Sequence, residues 1–146
     1  MKAICLSDIH GNDVKYRKLC GYIKQTLPDA VFIAGDVLPN YYVTEPLEFI
    51  DDTLKPLLSD LKEEMKQAYP DIFLITGNDD AAVSCEHLRY LELKGLIHFA
   101  NKLVMDQKGY TVLGYPYVPP TPFLLKDWEK YDVSRYLPRD TVSPED

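Results

Sequence analysis

Histidine and cysteine are both scarce in this chain, three of each among 146 residues. Cys5, Cys20 and Cys85 stand far apart and never in a Cys-x-x-Cys spacing, which excludes a disulfide framework and a structural zinc site and points to free thiols in a reducing compartment. Basic residues are also in the minority: 16 Lys and Arg against 23 Asp and Glu leave a net charge of −7. Such a surface has no broad basic face for nucleic acid or anionic membrane. No apolar run approaches the roughly 18 residues that span a bilayer, and the four after Met1-Lys2 are too few for a signal-peptide core, so the expected location is the cytoplasm. No Gly-x-Gly-x-x-Gly or Gly-Lys-Ser/Thr loop follows any strand pattern, which argues against a nucleotide-binding α/β domain of the usual kinds. There is no internal repeat. With 46% hydrophobic residues, the chain can bury the core of one compact unit.

The first half alternates strand and helix patterns. Continuous apolar runs at 3–6, 30–34 and 72–75 predict parallel strands covered on both faces. Between the first two, Tyr16, Leu19, Cys20, Ile23 and Leu27 form one helix face that Pro28 stops, which makes a βαβ unit. Ile50, Leu54, Leu57, Leu58, Leu61, Met65 and Ala68 predict a longer helix, kinked or restarted at Pro56. Ser84 reads as the N-cap of a short helix with Leu88 and Leu91 buried and Gly95 as its stop, followed by a short strand over 96–99. Residues 103–105 and 110–113 flank Asp106-Gln107-Lys108-Gly109, the composition of an antiparallel hairpin. Beyond Gly114 the chain is rich in proline and tyrosine and is expected to be irregular, with one helical turn near 127–131. The division is therefore a core over 1–114 and an irregular tail over 115–146 leading to a further C-terminal part. Tyrosines between Tyr110 and Tyr136 suit packing or a contact surface, and Trp128 suits an anchor for the tail.

Each of the first three strands ends in polar, ligand-type residues. The first gives Ser7-Asp8-Ile9-His10-Gly11-Asn12, the second Gly35-Asp36, the third Gly77-Asn78-Asp79-Asp80. Singly each is ordinary: a polar strand exit, a turn dipeptide, a turn with a helix cap. Together they converge, because strand ends of a parallel sheet meet at the crevice where α/β folds bind ligands. Residues i and i+2 of an extended strand point the same way, so Asp8 and His10 are expected to face one ion. Asp36 has two oxygens and can bridge two cations; Asn78 offers a neutral carbonyl oxygen. Such a mixture suits Mn, Fe, Zn or Mg. Two cations about 3.5–4 Å apart activate a water and orient a phosphate. Asn12 can donate to a phosphate oxygen, or can simply begin a helix.

Asp8-x-His10, then Gly35-Asp36, then Gly77-Asn78-x-Asp80, about 25 and 40 residues apart, resembles the calcineurin-like metallophosphoesterase superfamily over residues 1–80. The resemblance implies an α/β/β/α sandwich, here incomplete, with parallel βαβ units and then a hairpin. It further implies two divalent ions held by Asp8, His10, Asp36 and Asn78. The implied activity is hydrolysis of a phosphomonoester or phosphodiester by a metal-activated hydroxide, with a phosphate ester bound by Asn12 and Asn78.

Two departures accompany it. Many members carry His where this chain has Asp79, the candidate catalytic group here. A carboxylate beside two cations stays ionised and is a poor general acid, and Asp79 also reads as a loop or cap carboxylate. The family adds a later His and a Gly-His-x-His motif that nothing after Asp80 matches, since His87 and His98 read as structural or surface residues. Three explanations stand: the chain is the front of a longer protein, which we favour; a homo-oligomer supplies ligands from a neighbour; or a non-catalytic scaffold of the same fold binds a partner.

Overall fold

Four short, mostly apolar strands build one parallel sheet, β1 (Ala3–Leu6), β2 (Ala30–Ala34), β3 (Asp71–Ile75) and β4 (His98–Phe99), adjacent in that order. A computed structural model describes residues 1–40, 45–132, 137 and 139–145. Helices α1 (Asp13–Thr26), α2 (Pro46–Phe49), α3 (Lys55–Met65) and α4 (Cys85–Leu93) connect the strands. An antiparallel hairpin, β5 (Val104–Gln107) and β6 (Tyr110–Leu113), follows. The expected mixed α/β architecture of parallel βαβ units and a hairpin is present.

Register decides which side chains meet. Ile4, Val31 and Ile72 align across the sheet, as do Leu6, Ile33, Leu74 and Phe99. These residues form one core with Tyr16, Cys20 and Ile23 of α1, Leu58 and Leu61 of α3, and Leu88 and Leu91 of α4. Burial of each aliphatic side chain contributes about 1.5–3 kcal/mol, so this face carries most of the stability. The other face aligns Cys5, Phe32, Phe73 and His98, with the three rings stacked at 5.1 and 4.9 Å between centroids.

Here the expectation of strands covered on both faces fails. Ala3, Cys5 and Ala34 are exposed, because the core helices all pack on the opposite side. The hairpin reaches only the end where the strands enter: Gln107 and Lys108 bond Asp71, over a cavity of about 230 Å³ lined by Phe32, Phe73, Tyr110 and Val112. A continuous apolar run is equally compatible with one packed face and one face of small or aromatic side chains.

Several boundaries also differ. Leu27 is not on the buried face; it is the left-handed C-cap of α1 with φ 46° and is 59% exposed. The long helix starts at Pro46 and passes through a π-helical turn, Ile50–Leu54, before α3. Pro56 sits in the first turn of α3, where its missing N–H is harmless and the widened turn absorbs its ring. Ala68 leaves the buried stripe for an exposed 3-10 turn, Lys66–Ala68. Ser84 occupies the cap position of α4 but makes no capping bond, since a 3-10 turn, Ala82–Ser84, precedes it and its buried Oγ finds no partner among the described residues. The hairpin turn is only Lys108-Gly109, with φ 49° and 81°, the two positive values that a type I′ turn requires.

The helical turn expected near 127–131 is absent. That stretch makes a turn and a parallel bridge between Val118 and Glu129. Tyr136, Pro138 and Asp146 lie outside the described residues. Trp128 fastens the segment: it is 5% exposed, and its indole N–H donates to the Asp80 carbonyl at 2.6 Å.

Trp128→Phe, which keeps a ring but loses that donor, is expected to cost about 1 kcal/mol, and Trp128→Ala about 3–5 kcal/mol. Urea unfolding followed by far-UV circular dichroism measures both; an unchanged midpoint in the alanine variant would show that the segment is not docked.

Candidate metal centre

Beyond Leu6 the chain leaves the ladder of the sheet but not its neighbour. Backbone N–H groups of Asp8, His10 and Gly11 donate to the carbonyls of Gly35, Asp36 and Val37 at 3.2, 2.8 and 3.0 Å. The exits of β1 and β2 are thereby zipped together. Within this zipper Asp8, His10 and Asp36 take left-handed backbone, with φ of 58°, 51° and 50°. The expectation that Asp8 and His10 align by extended i, i+2 geometry is corrected: β1 ends at Leu6, and turns do the aiming. Each such residue stores roughly 1–2 kcal/mol of strain, a condition typical of functional sites.

The result is a cluster. One ligand atom each from Asp8, His10 and Asp36 lie within 4.8 Å of one another, slightly more than the roughly 4.2 Å between donors on opposite sides of one ion. Two carboxylates and an imidazole, half open to solvent and without thiolate, fit a divalent ion such as Mn, Fe, Zn or Mg. Ser7 Oγ donates to Asp8 Oδ2, and Lys15 Nζ reaches the Asp8 carbonyl at 3.0 Å.

The third strand exit closes the site. Gly77 passes so near Asp36 that a Cβ there would collide with its carboxylate and backbone nitrogen; only glycine allows this approach. Asn78 follows directly, part-buried, on the same loop. Asp79 donates its backbone N–H to Asp36 Oδ1 at 3.0 Å, and its Oδ2 lies 3.3 Å from His10 Nδ1. Asn40 Nδ2 donates to Asp79 Oδ1 at 3.3 Å. Asn12 is the N-cap of α1, its Oδ1 accepting from Lys15 N at 3.0 Å; its Nδ2 is the atom that could donate to phosphate. His87 pairs with Asp51 at 3.1 Å and His98 with Asp71 at 3.2 Å, so neither joins the cluster.

Sequence reasoning missed what Asp80 does. It is 0% exposed. Its Oδ1 accepts from Leu38 N at 2.8 Å, its Oδ2 from Gly77 N at 2.8 Å, and Val37 N lies 3.1 and 3.0 Å from the two oxygens. The only signal was its position three residues after Gly77, since the donors at Val37 and Leu38 come from a different loop. Asn40 was likewise invisible, being brought in only by the path after β2. Burial pushes the Asp80 carboxyl up to about 6, the three N–H donors oppose this, and Asp36 adds to the rise.

A family model described as calcineurin-like phosphoesterase matches residues 1–145. Four solved chains match as well. One, at 17% identity and a TM-score of 0.50, aligns with 74% of this chain and 49% of its own, so the present chain spans about half its length and shares its fold. No curated protein matches.

Asp80→Ala is expected to cost about 3 kcal/mol or more, because it leaves buried N–H groups unpaired. The pH dependence has a defined sign. A carboxyl raised from 3.8 to about 6 binds a proton in the folded state that the unfolded state lacks, so its contribution falls as pH rises through that window. In metal-free protein, wild-type stability relative to Asp80→Asn should rise as pH falls from about 6 to about 4, read from urea midpoints. A flat difference would contradict the assignment.

Proposed function

The chain belongs to the calcineurin-like phosphoesterase family, and from that membership we infer a metal-dependent phosphoric ester hydrolase acting on an aryl or similarly activated phosphodiester or phosphomonoester. The observation that carries this reading is the convergence of Asp8, His10 and Asp36 from two adjacent strand exits. Asp8, His10 and Asp36 would hold one divalent ion, and Asp36 and Asn78 would be the residues to hold a second. Divalent ions bound there supply the positive charge that activates water and offsets charge on the phosphoryl oxygens.

The chain's own groups do the positioning. Asp79 Oδ2 lies 3.3 Å from His10 Nδ1, and a carboxylate–imidazole pair there would fix the ring tautomer and raise its basicity as a ligand. In this reading Asp79 acts through His10. Asn12 Nδ2 and the Asn78 amide would orient phosphate oxygens, while Asp80 keeps the loops after β2 and β3 at fixed separation. None of these groups is placed to protonate a leaving group, so esters of good leaving groups are the fitting substrates. Among the described residues no helix is long and apolar enough to cross a membrane. Cys5, Cys20 and Cys85 are free thiols, which supports a reducing, cytoplasmic setting.

Mn-loaded protein is expected to hydrolyse a generic aryl phosphodiester and to lose this in Asp36→Asn; activity that survives the substitution would refute the site. Asp79→Asn should weaken Mn binding about 10–100-fold by calorimetry. Tight metal without turnover would instead favour the non-catalytic scaffold.

A further inference from the structure

We propose that Lys102, Lys130 and Tyr117 form an anion site for a phosphate group, free or as the phosphoryl end of an ester, separate from the Asp8, His10 and Asp36 cluster. Lys130 Nζ lies 3.7 Å from the centroid of the Tyr117 ring, and Lys102 Nζ 4.9 Å from it and 5.2 Å from the Trp128 ring. Both ammonium groups therefore contact one ring. Four other lysines of this acidic chain are paired with carboxylates: Lys24 with Glu64, Lys55 with Asp51, Lys108 with Asp71, Lys126 with Glu129. Among the described residues neither Lys102 nor Lys130 has a carboxylate partner. Two ammonium groups without carboxylate partners on one ring make a locally positive patch in an acidic chain, which favours an anion.

The convergence is built by the backbone. Lys102 N donates to the Gly114 carbonyl and Lys130 N to the Val118 carbonyl, both at 3.0 Å, which pins each lysine to one end of the segment carrying Tyr117. Gly114 passes against Ala100, where any Cβ would collide with the Ala100 carbonyl. Lys102 itself is left-handed, with φ 58°. Lys102 foremost, and then Lys130, hold the Tyr117 phenol below the ordinary tyrosine value against the opposing effect of burial. The same field suits a phosphate dianion, whose oxygens accept charge-assisted bonds from ammonium groups.

Its place in the fold is also specific. Asn101, beside Lys102, is bonded through its amide to Thr76 N and Oγ1 at 2.9 and 2.7 Å, which holds this loop to the exit of β3. Tyr117 packs on Trp128 at 6.1 Å between centroids, and Trp128 bonds Asp80. One indole ring thus separates the lysine pair from the loop of Asp79 and Asp80. The competing account is that the phenolate alone neutralises the two lysines.

Calorimetric titration of chelator-treated, metal-free protein with inorganic phosphate and with phenyl phosphate tests the site without reference to catalysis. Wild type and Tyr117→Phe should bind, and Lys102→Ala/Lys130→Ala should bind about tenfold more weakly. Lys102→Arg should retain binding, and the exposed single variant Lys130→Gln gives the same reading if the double variant fails to fold. Binding of both ligands assigns the site to a phosphoryl group, and binding of inorganic phosphate alone assigns it to the free ion. Equal affinity in wild type and the lysine variants, or no binding by wild type while tyrosine absorbance still shows a depressed titration, would overturn the proposal in favour of the phenolate.

Discussion

A single buried carboxylate organises the loops on which the site rests. Asp80 lies wholly inside the protein and accepts the backbone N–H groups of Val37, Leu38 and Gly77. Burying a carboxylate is costly, and charge-assisted bonds from N–H groups offset that cost. The bonds join the loop after β2 to the loop after β3. Tyr16 extends the arrangement by donating to the Val37 carbonyl at 3.0 Å, and Trp128 extends it by donating to the carbonyl of Asp80 itself. Helix α1, the two strand exits and the later segment thus meet at one residue.

Around this residue, strain and electrostatics act together. Three ligand-type residues sit in left-handed backbone, a conformation that survives only where surrounding bonds over-determine it. The zipper between the exits of β1 and β2 provides those bonds. Acidic groups are also crowded there: Asp36 raises the carboxyl of Asp80, and Asp79 leans on His10. Crowding of this kind is relieved by a cation, which is the electrostatic counterpart of the ligand geometry.

The sheet is asymmetric. Its helical face holds the core, while its other face carries small side chains and a row of stacked rings partly roofed by the hairpin. The two roles of the strands are therefore divided, with alternate residues supplying the core and the exits carrying the ligand-type residues. The lysine pair near Tyr117 flanks the hairpin in the chain, Lys102 before β5 and Lys130 after β6, and Asn101 and Trp128 hold its neighbourhood to the exit side of the sheet.

Much of this was legible in the chain itself. Apolar runs ending in Asp8, Asp36 and Asn78 located three strand exits, and periodicity located α1, α3 and α4, because alternation and helical spacing are local properties that survive any tertiary context. The helix end at Leu27 was misread, and Ser84 stands at the expected cap position of α4 without a capping bond, because a cap depends on backbone conformation, which the residue type only biases. The cover on each sheet face was misread because a run of apolar residues does not say which side its neighbours occupy. Asp80 and Asn40 gained their roles only on folding, from donors and acceptors about 40 residues away. The amino-acid order alone determined which residues could bind a metal and at which strand ends they stand. Tertiary structure decided that they meet and how the backbone turns to aim them, because those outcomes depend on hydrogen bonds between segments that no local pattern encodes.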